Sequence, residues 1–398
     1  MNRRTLIRGI QLIVAITLGT FAYLVYDGIR SQEANLVAGF AGVKVGWLVL
    51  AAVLALQEGV CGGLRIWVLG RVLCRTLALR TAIISEFVLM FCAGVTPGQA
   101  GAAPSQIAVL AHGGMKFVDV ATAELVAASC TIVFFLITAI TISVLRANGL
   151  FVAPGAEQLD ILVLLSVAVF GTSLLGLVLG AAYPPLLKAI FRVIAVPLGM
   201  AWRTILRVVA RTARGKPWAE RRLTQRGAIL VKMLFSVDDF HQGVRRYLRE
   251  GKVAYATAML LTVGFFCSRF AVAYFILLGL GIPTTPESFV SVGPPIVQVI
   301  LVQAALNFAL YLSPTPGASG VAEAGSSTLM RPWVSGVYEL PYLVLWRLLA
   351  LFLCMFVGGM YVFRYLGADV LEKRIKANED AQRALDEERL AESKRTVV

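Results

Sequence analysis

The sequence predicts an all-α polytopic membrane protein with six full transmembrane spans and two broken re-entrant hairpins related as inverted repeats. Three observations favour this fold class. The residues AVILMFWYC make up 58% of the 398-residue chain and charged residues only 15%, whereas about a quarter of a soluble domain is charged. Apolar segments recur at lengths near the roughly 20 residues that a helical crossing requires. Finally, one breaker motif occurs twice. The composition excludes a water-soluble enzyme.

The apolar segments that could form membrane helices are spread along the chain. They lie at roughly 9–27, 43–64, 81–96, 103–112, 118–145, 159–183, 253–280, 288–312, 318–330 and 338–366. The first follows the charged start Met-Asn-Arg-Arg and is not followed by an A-x-A cleavage site, so we expect an uncleaved span rather than a signal peptide. The pairs 81–96/103–112 and 288–312/318–330 are each interrupted, which leaves six full spans.

A strongly basic segment, 184–252, separates two membrane halves. It contains 15 Lys and Arg against four Asp and Glu, a net +11 of the chain's +14. Excess Lys and Arg marks cytoplasmic loops, so we expect this segment inside, where Trp202 and Trp218 could anchor it among lipid headgroups. In so apolar a chain this charge favours anionic lipid over nucleic acid, and no nucleic-acid partner is expected.

Counting crossings from a cytoplasmic N-terminus places both termini in the cytoplasm. Because 184–252 must be inside, each interrupted pair must leave the membrane on the side where it entered. The first pair then enters from inside and the second from outside. The predicted organisation is a first membrane half at 1–183, the basic cytoplasmic or interfacial segment at 184–252, a second membrane half at 253–366 and a charged cytoplasmic tail at 367–398.

The two breakers share the pattern T-P-G-x-x-G. The first is Thr96-Pro97-Gly98-Gln99-Ala100-Gly101, and the second, 219 positions later, is Thr315-Pro316-Gly317-Ala318-Ser319-Gly320. From average composition a chance second copy is on the order of one in a hundred. Proline kinks in membrane helices are the simpler interpretation. Two matching breaks in oppositely oriented halves instead favour a transporter's substrate site.

The breakers have the chemistry of a headgroup site. Proline removes a backbone donor and glycine permits a sharp reversal, which leaves polar backbone groups that only protein or a watery cavity can satisfy at membrane depth. The segment after each breaker begins with free N–H groups, which suit a phosphate.

Ionisable residues within the apolar segments are expensive and therefore also candidates for function. They are Glu58, Glu86, Glu124, Arg269, Glu323 and Arg347, with Asn307 as a polar companion. Glu58 and Arg65 share a helix face and are expected to pair. Glu323 could cap a helix, carry a proton or hold Arg269 or Arg347. An ion pair within about 4 Å is the favoured role, because an isolated carboxylate there would be costly.

These motifs resemble those of a known family, the lysylphosphatidylglycerol synthase transmembrane region, also called the flippase-like membrane domain. The resemblance covers roughly 5–366. It rests on Arg65-Ile66-Trp67 ahead of Leu69, on the stretch from Thr96 to Gly114, on the most specific stretch Ser313–Ala324 and on Arg347. This chain departs from the family where Gly-Gly is expected after Pro97: it has Gly98-Gln99, which could alter headgroup choice.

The resemblance implies translocation or presentation of a lipid between leaflets. Guanidinium groups match phosphate geometry, so Arg269 and Arg347 are the leading candidates for the lipid phosphate. The expected substrate-binding residues are Arg65, Thr96, Pro97, Gly98, Gly101, Arg269, Asn307, Thr315, Pro316, Gly317, Gly320, Glu323 and Arg347. Only about 30 residues follow the last span, so we expect no aminoacyl-transferase domain and no enzymatic activity.

The predicted function is transport or presentation of an anionic phospholipid or a polyprenyl-phosphate-type lipid in a bacterial inner membrane. Two alternatives stay open: a proton-coupled transporter of a non-lipid solute that uses Glu323 or Glu58, and a scaffold for a lipid-modifying enzyme. No cofactor, metal or ATP site is expected, since the chain has two histidines, scattered cysteines and no P-loop. The partners considered are anionic membrane lipids, a second copy in a homodimer, and a lipid-modifying enzyme.

Overall fold

The computed structural model describes residues 39–40, 42–149, 156–183, 241–285 and 295–365, and the regular secondary structure in these ranges is entirely helical. The predicted first span 9–27, most of the basic segment 184–252 and the tail 367–398 lie outside the described residues.

The helices follow the predicted segments closely. They are α1 Val45–Leu73, α2 Leu79–Val95, α3 Ala102–His112, α4 Phe117–Ala147, α5 Ala156–Ala182, α6 Lys252–Gly279, α7 Pro295–Leu312, α8 Val321–Met330, α9 Glu339–Arg347 and α10 Leu353–Tyr365. A helical stretch at 241–250 precedes α6. A π-helical turn, Leu348–Phe352, joins α9 to α10.

Five helical segments of the described residues are long and apolar enough to cross a membrane: α1, α4, most of α5, α6 and the continuous stretch Gly336–Val362. Helices α2, α3, α7 and α8 form the two interrupted pairs, each broken by a short 3-10 turn at Pro97–Gln99 or Pro316–Ala318. The protein is therefore an all-helical, multi-pass membrane protein.

Helices α1 and α6 pack antiparallel along their length. At one end the Lys44 N–H donates to the Gly279 carbonyl (2.8 Å). At the other end the Tyr247 hydroxyl donates to the Leu69 carbonyl (2.6 Å). Burial raises the pKa of Tyr247, so this hydroxyl keeps its proton and remains a donor. The contacts fix which ends of the helices lie together.

Glycines allow α2 to pack closely between α1 and α10. A Cβ on Gly59 or Gly63 of α1 would collide with Phe87 or Ile83 of α2, and one on Gly358 of α10 would collide with the Phe87 carbonyl. Small residues of this kind let membrane helices approach through their backbones. Helix α2 therefore carries the first breaker into the centre of the molecule.

An aromatic cluster fills the centre between α4, α5, α6 and α7. Phe135 is fully buried. Its ring contacts those of Phe170, Phe266, Phe308 and Tyr311 at centroid separations of 4.6 to 5.5 Å. Offset and edge-to-face contacts at such distances stabilise a rigid core, on which α6 and α7 present their polar residues.

Candidate functional site

The two breakers adopt nearly the same backbone conformation. Gly98 has φ 56° and ψ 26°, and Gly317 has φ 58° and ψ 19°. The next residues, Gln99 and Ala318, are also left-handed, with φ 56° and 53°. Left-handed backbone at residues other than glycine is strained and concentrates at functional sites. The conformations diverge from the fifth position, where Ala100 has ψ −23° and Ser319 has ψ 141°. At the sixth position Gly320 has a positive φ, whereas Gly101 has φ −81°.

The breakers contact each other. The Gly98 N–H donates to the Pro314 carbonyl at 3.0 Å, and the Cβ position of Gly317 lies 3.6 Å from the Gly94 carbonyl. Backbone groups freed by one break are thus partly satisfied by the other, as irregular backbone at membrane depth requires.

Within each breaker the threonine side chain closes the turn. Thr96 Oγ1 donates to the Cys92 carbonyl and accepts from the Gly101 N–H (2.7 and 2.8 Å). Thr315 Oγ1 donates to the Ser319 carbonyl (2.8 Å). The two threonines are therefore occupied in shaping the breakers. Pro316 is buried, whereas Pro97 and Gly98 are exposed.

A cavity lies where the breakers meet. The empty space around it, which includes open solvent at its mouth, is about 1100 Å³. Its walls come from both membrane halves. The charged and polar residues in the wall are Glu58, Glu86, Gln99, Arg269, Gln303, Asn307, Tyr311 and Arg347, and the two breakers contribute Gln99, Gly317 and Ala318.

Arg347 and Glu323 form a buried ion pair behind the second breaker. Arg347 Nε donates to Glu323 Oε1 at 2.6 Å, and Arg347 Nη1 donates to the Gly317 carbonyl at 3.1 Å. Glu323 Oε2 accepts the Gly320 N–H at 2.6 Å, so Glu323 also caps α8. The predicted Glu323 salt bridge is confirmed with Arg347 as its partner, and the pair fixes both sides of the breaker.

Arg269 pairs with Glu58, and this corrects the predicted pair of Glu58 with Arg65. Arg269 Nη1 lies 2.5 Å from Glu58 Oε1 and joins α6 to α1. Arg65 instead donates to Thr131 of α4 (3.1 Å) and lies over the Phe265 ring. The expectation was wrong because Glu58 and Arg65 are two turns apart on α1, whereas the antiparallel packing of α1 and α6 brings Arg269 directly to Glu58.

Two hydrogen-bond donors in the cavity wall are buried without a partner: Arg347 Nη2 and Asn307 Nδ2. Buried polar atoms are normally paired, and each exception calls for an explanation. Asn307 is 3% exposed and Arg347 4% exposed, so neither nitrogen is open to solvent in this structure.

A second polar group lies beside the cavity in the first half. Glu86 accepts a hydrogen bond from Gln106 of α3 at 3.0 Å. Arg65 acts electrostatically on both Glu86 and Glu124. This group links the cavity wall, through Glu86, to the end of α1 that carries Arg65.

The cavity thus brings together four of the predicted site residues: Arg269, Asn307, Gly317 and Arg347. Glu323 supports Arg347 from behind, and the remaining breaker residues Thr96, Pro97, Gly98, Gly101, Thr315, Pro316 and Gly320 shape the turns. Arg65 lies outside the wall. Sequence reasoning missed Gln99, Gln303 and Tyr311. Gln99 carried a signal, because it stands where the family has glycine. Among the described residues, no three His, Cys, Asp or Glu side chains come together as metal ligands.

The chain was compared with known protein families. The family model described as the lysylphosphatidylglycerol synthase TM region matches residues 10–358, and the match includes both breakers and all cavity residues named above. No curated protein matches the sequence. The family places the chain among membrane domains associated with lipid handling. With a match over most of its length, the chain belongs to the lysylphosphatidylglycerol synthase transmembrane-region family.

Proposed function

We propose that the protein is a flippase-like transporter. It binds an anionic phospholipid or polyprenyl-phosphate-type lipid and translocates it, or presents it, across a bacterial inner membrane. The observation that carries this proposal is the placement of Arg269 and Arg347 in one cavity wall formed by both breakers. The phosphate of the headgroup would lie between these guanidinium groups, and the acyl chains would remain in the surrounding lipid. In this reading the chain acts without enzymatic chemistry of its own.

The proposed layout is that of six spans and two re-entrant hairpins in inverted halves, with the predicted span 9–27 as the first. Contacts at the hairpin ends support it. Residues before α2 and after α3 lie together, because Leu77 and Met115 both pack against Gly70. The end of the second hairpin lies at the opposite end of the molecule, where Trp333 donates to the Thr284 carbonyl at 3.0 Å. The tips meet between them. Such inverted broken helices suit a site reached alternately from either side.

A proton-coupled transporter of a non-lipid solute is the second candidate. It is favoured by Glu58, which lies in the cavity wall with Oε2 unpartnered. Glu323 suits a proton carrier poorly, since both its oxygens accept hydrogen bonds. The family's association with lipid favours the first candidate.

The test is translocation of fluorescent phosphatidylglycerol in proteoliposomes, read from the fraction that a membrane-impermeant reductant bleaches. We expect the wild type to translocate faster than protein-free liposomes, and Arg269→Gln to slow the rate roughly 10- to 100-fold, since a hydrogen bond to a charged group contributes about 1.5–3 kcal/mol. The control is Arg246→Gln, because Arg246 forms an exposed pair with Glu250 away from the cavity wall. Wild-type protein that moves lipid no faster than empty liposomes would rule out the proposal for this lipid. Mass spectrometry of lipids that co-purify in native nanodiscs would then direct the choice of the next one.

A further inference from the structure

The Glu58–Arg269 pair differs from the Glu323–Arg347 pair in ways that bear on ligand binding. Arg347 is held by two acceptors and is 4% exposed. The Arg269 side chain is 33% exposed and donates to Glu58 Oε1. The Glu58 carboxylate is 2% exposed, and its second oxygen is buried without a hydrogen bond. The Glu323–Arg347 pair is therefore a fixed support. The Glu58–Arg269 pair is open to the cavity and has one carboxylate oxygen without a hydrogen bond.

We propose that Glu58 is a proton-binding site whose protonation releases Arg269 to bind the phosphate of the ligand. In the state described by the structure, the negative charge of Glu58 offsets the positive charge of Arg269. Arg269 therefore attracts a further anion only weakly. A proton that enters from the aqueous side and binds the unpartnered Oε2 removes the negative charge of Glu58. Arg269 then becomes an uncompensated cation in the cavity wall, and a lipid phosphate can take the place of the carboxylate.

The surroundings of Glu58 favour this exchange. Arg269 on α6 is the cation that faces it, and Glu86 on α2 is close enough to repel it. The other titratable groups around the pair are Tyr311 on α7, Cys354 on α10 and Cys61 on α1. None of these brings a second positive charge. The formal charges in and beside the wall sum to −1, from Glu58, Glu86, Glu124 and Glu323 against Arg65, Arg269 and Arg347. Adding a singly charged phosphate without a proton would make this sum −2.

The exchange couples ligand to proton and rests on the proposed function. The ligand binds better when Glu58 is protonated, so its affinity rises as the pH falls, and by linkage each bound phosphate promotes uptake of one proton. A proton gradient across the membrane could then drive the lipid in one direction. The Glu323–Arg347 pair cannot exchange in this way, so Arg347 should stay paired with Glu323 across the same pH range.

The test is equilibrium binding of a short-chain fluorescent phosphatidylglycerol to the detergent-solubilised full chain, from about pH 5 to about pH 8, where the lipid phosphate stays ionised. We expect wild-type affinity to rise on the order of tenfold toward low pH, within the usual range of coupling between two ligands. Glu58→Gln should bind at the low-pH affinity throughout and lose the pH dependence. Glu86→Gln should bind more tightly and keep the dependence, because the charge it removes is not paired with Arg269.

One further variant keeps the test decisive. Glu58→Gln leaves Arg269 without its partner and could misfold, so the double variant Glu58→Gln/Arg269→Gln removes the pair as a unit. It should fold, bind weakly and show no pH dependence. A Glu58→Gln protein with the wild-type pH dependence overturns the inference. Wild type that binds no phosphatidylglycerol at any pH would instead count against the proposed function itself.

Discussion

The buried ion pair of Glu323 and Arg347 holds the second breaker in shape. Arg347 contacts both the carboxylate and the Gly317 carbonyl, and the same carboxylate caps α8 through Gly320. The π-helical turn that directly follows Arg347 places Ala350 and Leu351 in the cavity wall. Such turns often occur at functional sites. One arginine therefore connects the breaker, the start of α8 and the last membrane-spanning segment.

We predict that Arg347→Ala impairs both stability and transport more than Glu323→Gln does. The alanine variant leaves Glu323 buried without a cation, which costs about 3–5 kcal/mol, and it removes a phosphate donor. The glutamine variant keeps the side-chain size and one acceptor oxygen, which serves either Arg347 or the Gly320 N–H, and it should weaken transport moderately. Thermal unfolding followed by tryptophan fluorescence, combined with the lipid translocation assay, measures both effects.

The exposed pair Arg246–Glu250 supplies the matched control for this prediction. Its side chains are 42% and 66% exposed, and surface pairs contribute about 0–1 kcal/mol. Arg246→Ala should therefore unfold and transport like the wild type. If Arg347→Ala were as stable and as active as Arg246→Ala, the role given to the buried pair would be wrong.

At the scale of the elements, substitutions at Gly98 test whether the ligand passes beside the first breaker. Gly98 has a positive φ, and a Cβ built there meets no atom within 4 Å. Gly98→Ala should thus lose only about 1–2 kcal/mol through backbone strain. Gly98→Leu carries the same strain and adds bulk where the breakers meet. We predict that it unfolds like the alanine variant but translocates lipid several-fold more slowly.

Comparing the two Gly98 variants removes the backbone effect from the measurement. Gly317 is less suitable, because its Cβ position already lies 3.3 Å from Leu351 Cδ2 and leucine there would disturb packing as well as transport. Equal translocation by Gly98→Leu and Gly98→Ala would show that the ligand does not pass the first breaker.

The helices could be predicted from the sequence more closely than their partners. The segment 118–145 became Phe117–Ala147, because long apolar runs leave little doubt in a membrane protein. The predicted segment 43–64 ended before the observed helix end at Leu73, because Arg65 and Arg71 interrupt the apolar run but not the helix. The Glu323–Arg347 pair was predictable because a breaker fixes where Glu323 lies. The Glu58–Arg269 pair was not predictable, because no local sequence pattern in α1 or α6 shows that these two helices pack against each other.

At the scale of the whole molecule, charge is divided unevenly between the two ends. The end defined by the Tyr247–Leu69 contact holds the cations Arg71, Arg75, Arg80, Lys116, Arg245, Arg246, Arg249 and Lys252. Among the described residues, the opposite end, defined by the Lys44–Gly279 contact, holds three cations, Lys44, Arg146 and Arg331. Since Lys and Arg accumulate on the cytoplasmic side, we propose that the first end faces the cytoplasm.

This assignment predicts that Lys216 and Thr285 lie on opposite sides of the membrane. Lys216 belongs to the basic segment 184–252, and Thr285 is an exposed residue five positions beyond the end of the α6 cap at Leu280. Each is replaced by cysteine in a chain without Cys61, Cys74, Cys92, Cys130, Cys267 and Cys354. In spheroplasts, a membrane-impermeant maleimide should label Thr285→Cys at once and Lys216→Cys only after the membrane is permeabilised. If both cysteines were labelled from one side, the number of membrane crossings between Lys216 and Thr285 would have to be even rather than odd. The two hairpins could not then be oppositely oriented, and the cavity would no longer be a site reached alternately from each side.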